Sequence, residues 1–181
     1  MARVTALSIE GAWLVETPVH HDNRGHFQEW FKESLVLQAI GREFDVAQVN
    51  ISRSKRGVVR GIHGSKSPLG QAKWVTCTNG AIWDVVVDIQ PESPTFMRSE
   101  AFELNHENGK SLVISEGLGH AFLSLQNDSV TTYALSSEYD SSSEFAINPQ
   151  DRELAIEWPS NNLIFSERDL KAPTLKEFLS S

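Results

Sequence analysis

The chain has 181 residues, which fits a single domain over residues 1–181. Its formal net charge of −8 argues against nucleic acid as a main partner, because binding to phosphate backbones needs a basic surface. No stretch predicts a signal peptide or a membrane span, so we expect a cytoplasmic protein with no membrane partner. The single cysteine, Cys77, excludes an intrachain disulfide, and its apolar surroundings predict a buried, inert thiol.

Near the N-terminus, residues 22–29 predict a turn that leads into a strand of alternating character. Arg24 in this turn could hold a phosphate group by paired hydrogen bonds, together with Arg60 further along the chain. The alternative is an exposed, solvated turn. Residues 31–39 then predict a helix that ends at Gly41, because glycine readily adopts the left-handed conformation found at helix C-termini.

A row of polar side chains begins at Gln48. Side chains on a strand alternate between its two faces, so Gln48, Asn50 and Ser52 point one way, and the other face holds Val49 and Ile51. A row of uncharged polar groups is unsuited to a hydrophobic core unless polar partners are present. This strand therefore predicts one wall of a polar pocket.

The following segment adds a histidine and two cations. His63 is the default general base, because imidazole titrates near neutral pH, and Arg60 and Lys73 lie close to it in sequence. A lone histidine is more often a structural group, but the nearby cations favour a functional role. In a regular strand, Arg60 would share a face with Ile62, and His63 would share the other face with Gly61. The segment predicts a pocket for a polar, anionic small molecule.

The remainder of the chain predicts an all-β protein. Short segments rich in Val, Ile, Thr and aromatic residues recur at regular spacing: 58–62, 73–78, 81–89, 98–104, 111–114, 121–125, 131–135 and 155–158. Asn79-Gly80, between two of them, predicts a hairpin. The pattern fits a β-sandwich or barrel of the jelly-roll type with a few short helices, the last of them around residues 174–179.

Two aspartates lie in the predicted strand at residues 81–89. A carboxylate on a central strand costs free energy unless it is paired or hydrogen-bonded. Either one of Asp84 and Asp88 caps the strand end, or Asp84 positions a cation in the pocket, and the sequence leaves both alternatives open.

Tyr133 and Tyr139 are the two tyrosines of the chain. Each could simply pack in the protein interior. A phenol that faces the pocket could instead donate a proton or stack on an aromatic ring.

Several stretches together form a recognisable series along the chain: DNRGHFQE at 22–29, QVNIS at 48–52, GVVRGIH at 57–63, QAK at 71–73, DVVVDI at 84–89, SPTF at 93–96, GLGHAF at 117–122, Tyr133 with Tyr139, WP at 158–159 and SERD at 166–169. In this order they resemble the dTDP-4-dehydrorhamnose 3,5-epimerase family. The members of that family are dTDP-sugar epimerases with a metal-free, cupin-like jelly roll. The resemblance runs from about Gly11 to Pro173, which is nearly the whole chain.

The resemblance implies a catalytic set of His63, Tyr133, Lys73 and Asp169. His63 would remove the proton next to a C4 ketone, and Asp169 would hydrogen-bond His63 and make it a better base. Lys73 would stabilise the enolate oxygen that forms at C4. Tyr133 would return a proton to the opposite face of the sugar ring, which inversion of a carbon requires.

The resemblance also implies a substrate, a dTDP-linked 4-keto-6-deoxy sugar, and the residues that bind it. These are Arg24 and Arg60 at the diphosphate, Gln48, Asn50 and His120 around the sugar, Phe27 and Glu29 at the pocket wall, Tyr139 beside the nucleotide, and Arg168 where lysine is common. The family usually forms homodimers with exchanged N-terminal strands. Arg24 or Phe27 could therefore act in the neighbouring subunit's site.

One departure from the family bears on the substrate. The family usually has an aromatic residue and often a glutamine after its histidine, whereas Gly64 and Ser65 follow His63 here. The lost bulk leaves open whether C3, C5 or both are inverted. Three hypotheses result: a 3,5-epimerase, a monoepimerase of a secondary-metabolite sugar pathway, and a catalytically idle jelly roll that binds sugar nucleotides.

A metal-dependent cupin is a fourth and weaker hypothesis. Metal-binding cupins usually offer two histidines as His-x-His, a carboxylate shortly afterwards and a later histidine. The sequence contains no His-x-His, and after His63 it has Lys66 and Lys73 at the corresponding spacing. We therefore expect no metal and no cofactor.

Overall fold

The computed structural model describes residues 1–66 and 70–180. In chain order the strands are β1 (Arg3–Ala6), β2 (Ala12–Glu16), β3 (Val19–Asp22), β4 (Gly25–Gln28), β5 (Gln48–Ser54), β6 (Val59–Ser65), β7 (Lys73–Asn79), β8 (Ala81–Val87), β9 (Ser99–Asn105), β10 (Lys110–Ile114), β11 (Gly119–Ser124), β12 (Ser129–Leu135) and β13 (Glu144–Ala146). The helices are α1 (Glu33–Ile40), α2 (Glu167–Leu170) and α3 (Leu175–Leu179). Within the described residues, no helix has the length and apolar character needed to cross a membrane.

Two antiparallel sheets form the body of the protein. The larger sheet has the strand order β1-β2-β10-β7-β12-β5, and the smaller sheet has the order β13-β6-β11-β8-β9. Consecutive strands alternate between the sheets from β5 to β8 and again from β10 to β13, as expected for a jelly roll. Strands β3 and β4 form a separate hairpin. The predicted all-β, cupin-like jelly roll with a few short helices is confirmed.

The helices predicted near both ends of the chain are present. α1 ends at Gly41, whose φ of 71° is left-handed and whose N–H donates to the Leu37 carbonyl. α3 begins after Thr174, which exchanges hydrogen bonds with Glu177 in a capping box. The sequence does not predict α2, because four residues are too few to show helical periodicity.

The predicted hairpin at Asn79-Gly80 is wrong. Strand β7 pairs with β10 and β12, whereas β8 pairs with β9 and β11, so the turn carries the chain from one sheet to the other. Gly80 has a φ of 70°, which permits the tight reversal that its sequence indicates. The sequence therefore predicts the tight turn correctly, but the two strands that it joins pair with other strands and not with each other.

The predicted strand at residues 155–158 is also wrong. This segment forms neither a strand nor a helix, and Ala155 has a φ of 46°, which does not fit an extended chain. Ile156 and Trp158 nevertheless pack against a hydrophobic cluster that contains Ile62 and Val85. Apolar side chains here cover the core without joining a sheet.

The hydrophobic core lies between the two sheets. Val75 and Leu112 of the larger sheet pack in one cluster with Val86 and Leu104 of the smaller sheet, and all are fully buried. Burying one such side chain contributes about 1.5–3 kcal/mol to stability. Tyr133 lies at the edge of this cluster, partly buried, where the inner faces become polar and a cleft opens between the sheets.

A β-bulge changes the predicted alternation in β6. His120 of β11 lies opposite His63, but Phe122 lies opposite Arg60, so β6 has one extra residue at this point. As a result Arg60 and His63 both line the cleft, although a regular strand would place them on opposite faces. The bulge thereby adds a cation to the wall that carries the histidine.

We expect Gly61→Ala, a substitution in this bulge, to lower the free energy of unfolding by about 3 kcal/mol. Gly61 has a φ of 121°, which other residues rarely adopt, and an added Cβ would lie 2.5 Å from the Cβ of Ala121. Gly41→Ala is the control, because Gly41 also has a left-handed φ, 71°, but no atom lies within 4 Å of its added Cβ. Urea unfolding followed by circular dichroism measures both losses. Equal losses would show that the contact with Ala121 is unimportant.

Candidate active site

A cleft with a volume of about 550 Å³ opens between the two sheets, a size suited to a small-molecule ligand. Strands of both sheets and the C-terminal segment around α2 form its walls. Its lining residues are Ser52, Val58, Val59, Arg60, His63, Lys73, His120, Phe122, Tyr133, Ile164, Phe165, Ser166, Arg168 and Asp169. The cleft thus contains all four residues of the predicted catalytic set and three of the predicted substrate-binding residues.

A hydrogen bond between His63 and Asp169 connects β6 to the C-terminal segment that borders the cleft. Nε2 of His63 lies 2.7 Å from Oδ1 of Asp169. The Asp169 N–H donates to Oγ of Ser166 over 3.0 Å, and Ser166 is the N-cap residue of α2. The predicted hydrogen bond between histidine and carboxylate is therefore present, and the helix cap holds the backbone of the carboxylate residue.

The charge state of Asp169 decides which ring nitrogen of His63 can accept a proton. Burial raises the pKa of the Asp169 carboxyl, but the hydrogen bond and charge of His63 and the charge of Arg168 outweigh burial, so the pKa is below its usual value. An ionised carboxylate only accepts hydrogen bonds. In the neutral imidazole, Nε2 of His63 therefore donates to Asp169, and Nδ1 keeps a lone pair that can accept a proton.

Lys73 lies half-buried in the cleft, and its Nζ donates to the His63 carbonyl over 3.2 Å. Burial lowers the pKa of Lys73, and the negative charges of Glu144 and Asp84 oppose this effect. The sequence does not single out Glu144, which reaches this region only because β13 pairs with β6. No local pattern marks such a residue, since its position depends on the sheet.

His120 is held by Asp84 from the neighbouring strand. Its Nε2 lies 2.9 Å from Oδ1 and 3.0 Å from Oδ2 of Asp84, whose side chain is fully buried. Asp88 has a different role, because it accepts hydrogen bonds from the Gln90 N–H and the Thr95 hydroxyl just beyond the end of β8. The two alternatives for these aspartates thus both occur: Asp88 caps the strand, and Asp84 acts on groups that line the cleft.

Tyr133 reaches the cleft from the larger sheet, whereas His63 reaches it from the smaller sheet. In β12 it lies between Val75 of β7 and Asn50 of β5. Two proton-transferring groups on facing sheets can approach a bound ligand from opposite sides. The other tyrosine, Tyr139, is exposed and lies outside the cleft lining.

Gln48 and Asn50 form a polar pair beside the cleft rather than in its lining. The Gln48 side chain donates to Oδ1 of Asn50 over 2.8 Å and accepts from the Tyr139 N–H over 2.9 Å. Both residues are half-buried, and the alternation predicted for this strand is present, because Val49 and Ile51 are exposed on its other face.

Besides Gln48, Asn50 and Tyr139, three more predicted substrate-binding residues lie outside the cleft lining. Arg24, in the turn between β3 and β4, pairs with Asp22 at 2.6 Å and is exposed. Phe27 in β4 is 64% exposed. Glu29 pairs with Lys32 at 2.7 Å on the surface.

Gly64 and Ser65 also lie outside the cleft lining. A Cβ at Gly64 would collide with the ring of Phe145 and the carbonyl of Leu118. Oγ of Ser65 accepts from the Gln71 N–H over 2.5 Å and is buried. The space beside the backbone of Gly64 is thus filled by Phe145, and the missing bulk after His63 does not enlarge the cleft.

The described parts of the chain contain no group of three or more His, Cys, Asp or Glu side chains arranged to hold a metal ion. The cleft of this cupin-like jelly roll holds an imidazole–carboxylate pair, a lysine and, on the facing sheet, a phenol. The family model for dTDP-4-dehydrorhamnose 3,5-epimerase matches residues 6–177. The chain belongs to this family.

Relatives of known activity include both kinds of epimerase. The chain is 46% identical to a dTDP-4-dehydro-6-deoxyglucose 3-epimerase from Streptomyces bikiniensis, over 93% of this chain and 87% of the relative. It is also 46% identical to a dTDP-4-dehydrorhamnose 3,5-epimerase from Mycolicibacterium smegmatis, over 94% of this chain and 85% of the relative. The crystal structure of NovW, a 4-keto-6-deoxy sugar epimerase from Streptomyces spheroides, matches with a TM-score of 0.96 at 40% identity, over 99% and 90% of the two chains.

We expect Lys73→Met to raise the free energy of unfolding at neutral pH by about 1 kcal/mol, because it removes a desolvated ammonium group. With a pKa below 10.5, folded Lys73 binds fewer protons than unfolded Lys73 between the two pKa values. Wild-type stability therefore rises with pH in that window, and the advantage of the variant should shrink towards about pH 10. Denaturant unfolding at both pH values measures this change.

Lys171→Met is the control for that substitution. The Lys171 side chain is 78% exposed and pairs with Glu167 on the surface, so its removal should change stability by less than about 0.5 kcal/mol. A Lys73→Met protein that is less stable than wild type at neutral pH would contradict the assignment of an unfavourable buried charge.

Proposed function

We propose that the protein is an epimerase that inverts C3, C5 or both in a dTDP-linked 4-keto-6-deoxyhexose, in deoxysugar biosynthesis of the rhamnose or antibiotic-sugar type. One observation carries the proposal: the His63–Asp169 pair shares a cleft with Lys73 and, on the facing sheet, Tyr133. Family membership over residues 6–177 supports the same chemistry.

The reaction begins with a proton transfer to His63. Nδ1 accepts the proton from a carbon next to the C4 ketone, and the electrons of the broken C–H bond move to the C4 oxygen to form an enolate. The ammonium group of Lys73 stabilises this negative charge, and such stabilisation is stronger in a half-buried cleft than in water. Asp169 holds the imidazole in the tautomer that leaves Nδ1 free to accept.

Inversion needs a second group on the other side of the ring. Tyr133 donates its phenolic proton to the carbon from the opposite face, and the enolate electrons form the new C–H bond as the ketone is restored. His63 then loses its proton and Tyr133 regains one from solvent. A single group working on one face would only restore the starting sugar.

The cleft has charges suited to a nucleotide diphosphate, although the whole chain is acidic. Arg60 and Arg168 line it. Nε of Arg60 donates to Oγ of Ser54 over 3.1 Å and its Nη2 to the Arg53 carbonyl over 3.5 Å, which leaves Nη1 for phosphate oxygens. His120, fixed by Asp84, faces the sugar, while Gln48, Asn50 and Tyr139 bind the nucleotide sugar beside the cleft. The crystal structure of the relative ChmJ, a 3′-monoepimerase 46% identical to this chain, contains dTDP-quinovose.

The alternative proposal is a monoepimerase that acts at one carbon. The 3-epimerase and the 3,5-epimerase described above have the same identity to this chain, so overall similarity does not separate the two activities. Gly64 supports neither activity over the other, because it lies outside the cleft lining. A third alternative, an idle jelly roll that binds sugar nucleotides, is disfavoured by the complete catalytic set.

We expect the protein to exchange solvent deuterium into dTDP-4-keto-6-deoxyglucose in heavy water, which proton NMR follows directly. Loss of both the C3 and C5 proton signals identifies a 3,5-epimerase, and loss of one identifies a monoepimerase.

Tyr133→Phe should retain exchange through His63 but lower inversion at least about 100-fold. His63→Asn should abolish both and retain binding of dTDP. Binding without any exchange by the wild-type protein would favour the idle jelly roll.

We also propose a homodimer in which the β3–β4 hairpin completes the neighbouring subunit's site. Val49 and Ile51 on the outer face of the edge strand β5 are 54% and 71% exposed, and contiguous exposed apolar surface of this kind marks interaction sites. Arg24 and Phe27 lie outside the cleft of their own chain.

The buried, unpaired Cys77 fits a reducing compartment, so a cytoplasmic location remains part of the proposal.

We expect Ile51→Asp to convert the dimer into a monomer in analytical ultracentrifugation, because it places a charge in an apolar interface. Leu179→Asp is the control, since Leu179 is also an exposed apolar residue, at 42%, and lies near the C-terminus. Co-expressed Arg24→Ala and His63→Asn chains should regain part of the activity that each variant lacks, because a mixed dimer contains one intact site. A monomeric wild-type protein, or no regain of activity, would contradict the exchange of hairpins.

A further inference from the structure

The carboxylate of Asp169 lies on a helix that is too short to be stable by itself. Asp169 belongs to α2, which has four residues, and a single helical turn is unstable without tertiary contacts. The last carbonyl groups of any helix also lack partners within the helix. Ser166 caps the N-terminal end of α2 through the Asp169 N–H. The C-terminal end needs a partner from elsewhere in the chain.

Asn148 supplies that partner. Its Nδ2 donates to the carbonyl of Leu170, the residue after Asp169, over 2.9 Å. Its backbone N–H donates to the carbonyl of Pro173 over 2.9 Å. Its Oδ1 accepts from the N–H of Gln150 over 2.9 Å, so the carbonyl oxygen and the amide nitrogen of this side chain each have a suitable partner.

Asn148 is also tied to the strand that carries the base. The preceding residue, Ile147, exchanges both backbone hydrogen bonds with Ile62, at 3.2 Å and 3.0 Å. Ala146, the residue before that, lies opposite His63 in the sheet. Asn148 therefore bridges two elements: the strand beside His63 and the end of the helix that holds Asp169.

We propose that Asn148 is a positioning residue that sets the distance between the His63 imidazole and the Asp169 carboxylate. The inference rests on the proposed function, since it assigns Asn148 to the same acid–base site. Asn148 is not part of the cleft lining, so it acts on the substrate only through this pair. Loss of its hydrogen bond to Leu170 lets α2 move away from β6, and a misplacement of about 1 Å can cost a reaction 100-fold.

The variant Asn148→Asp tests this role with little change in shape. It keeps the oxygen that accepts from Gln150 but replaces the donor to the Leu170 carbonyl with a second oxygen. Asn108→Asp is the matched control. Nδ2 of Asn108 donates to the Glu103 carbonyl over 2.9 Å, and its Oδ1 accepts from the Lys110 N–H over 3.1 Å, in the turn between β9 and β10. It makes the same kind of contacts away from the cleft.

The first measurement does not depend on any substrate. The imidazole N–H of His63 that donates to Asp169 should give a downfield proton NMR signal, assigned by its absence in His63→Asn. We expect Asn148→Asp to weaken or shift this signal and Asn108→Asp to leave it unchanged. An unchanged signal in Asn148→Asp overturns the proposal, whatever the protein's substrate. If Asn148→Asp does not fold, Asn148→Ser replaces it, because a serine hydroxyl still accepts from Gln150 but is too short to reach Leu170.

The second measurement separates positioning from general support of the fold. In the heavy-water exchange assay, Asn148→Asp should lower kcat about tenfold with KM unchanged. In an Asp169→Ala background the same substitution should lower kcat no further, because Asn148 acts through that carboxylate. Additive losses, or a change in KM alone, overturn the proposal. An inactive wild-type protein refutes the proposed function instead, and the NMR signal then decides the positioning role.

Discussion

The hydrogen bond between His63 and Asp169 is the contact on which the rest of the site depends. It joins β6 of the smaller sheet to the C-terminal segment, across 106 residues of sequence, at 2.7 Å. The Asp169 side chain is 5% exposed, and a carboxylate at this depth is stable only with a partner. The same bond therefore helps to hold the C-terminal segment against the cleft and orients the imidazole, so the geometry of the His63–Asp169 pair depends on the fold of this segment.

Charged side chains lie in the cleft rather than in the apolar cluster between the sheets. Lys73 lies near the carboxylates of Glu144 and Asp84, and Asp84 is in turn hydrogen-bonded to His120. Each of these groups loses hydration on folding, which opposes stability unless partners compensate. The apolar cluster between the sheets offsets this cost, and charges in a partly desolvated cleft interact more strongly than charges in water. A protein with a net charge of −8 can thus present local positive charge through Lys73, Arg60 and Arg168.

The volume next to residue 64, where the sequence has only glycine, is filled by a side chain from another strand. In the sequence, Gly64 and Ser65 stand after His63 where the family usually has bulkier side chains. The structure shows instead that Phe145, from the neighbouring strand β13, occupies the position into which a side chain at residue 64 would extend. The Phe145 ring also contacts Phe178 of α3, 5.3 Å between centroids, so it connects β13, the neighbour of β6, to the C-terminal helix. Differences in substrate range are therefore to be sought among residues that line the cleft.

The sequence by itself determined the all-β class, the helix stop at Gly41, the polar face of β5 and the types of side chain in the site, because periodicity and side-chain chemistry are local properties. The pairing of Asp169 with His63 came from the family resemblance rather than from the residues. Only the tertiary structure decided that Asn79-Gly80 crosses between sheets and that the bulge in β6 turns Arg60 towards the cleft. It also decided that Glu144 lies near Lys73 and that Asn148 contacts the helix of Asp169. Each of these features depends on contacts between residues far apart in the chain, and such contacts form only when both sheets pack together.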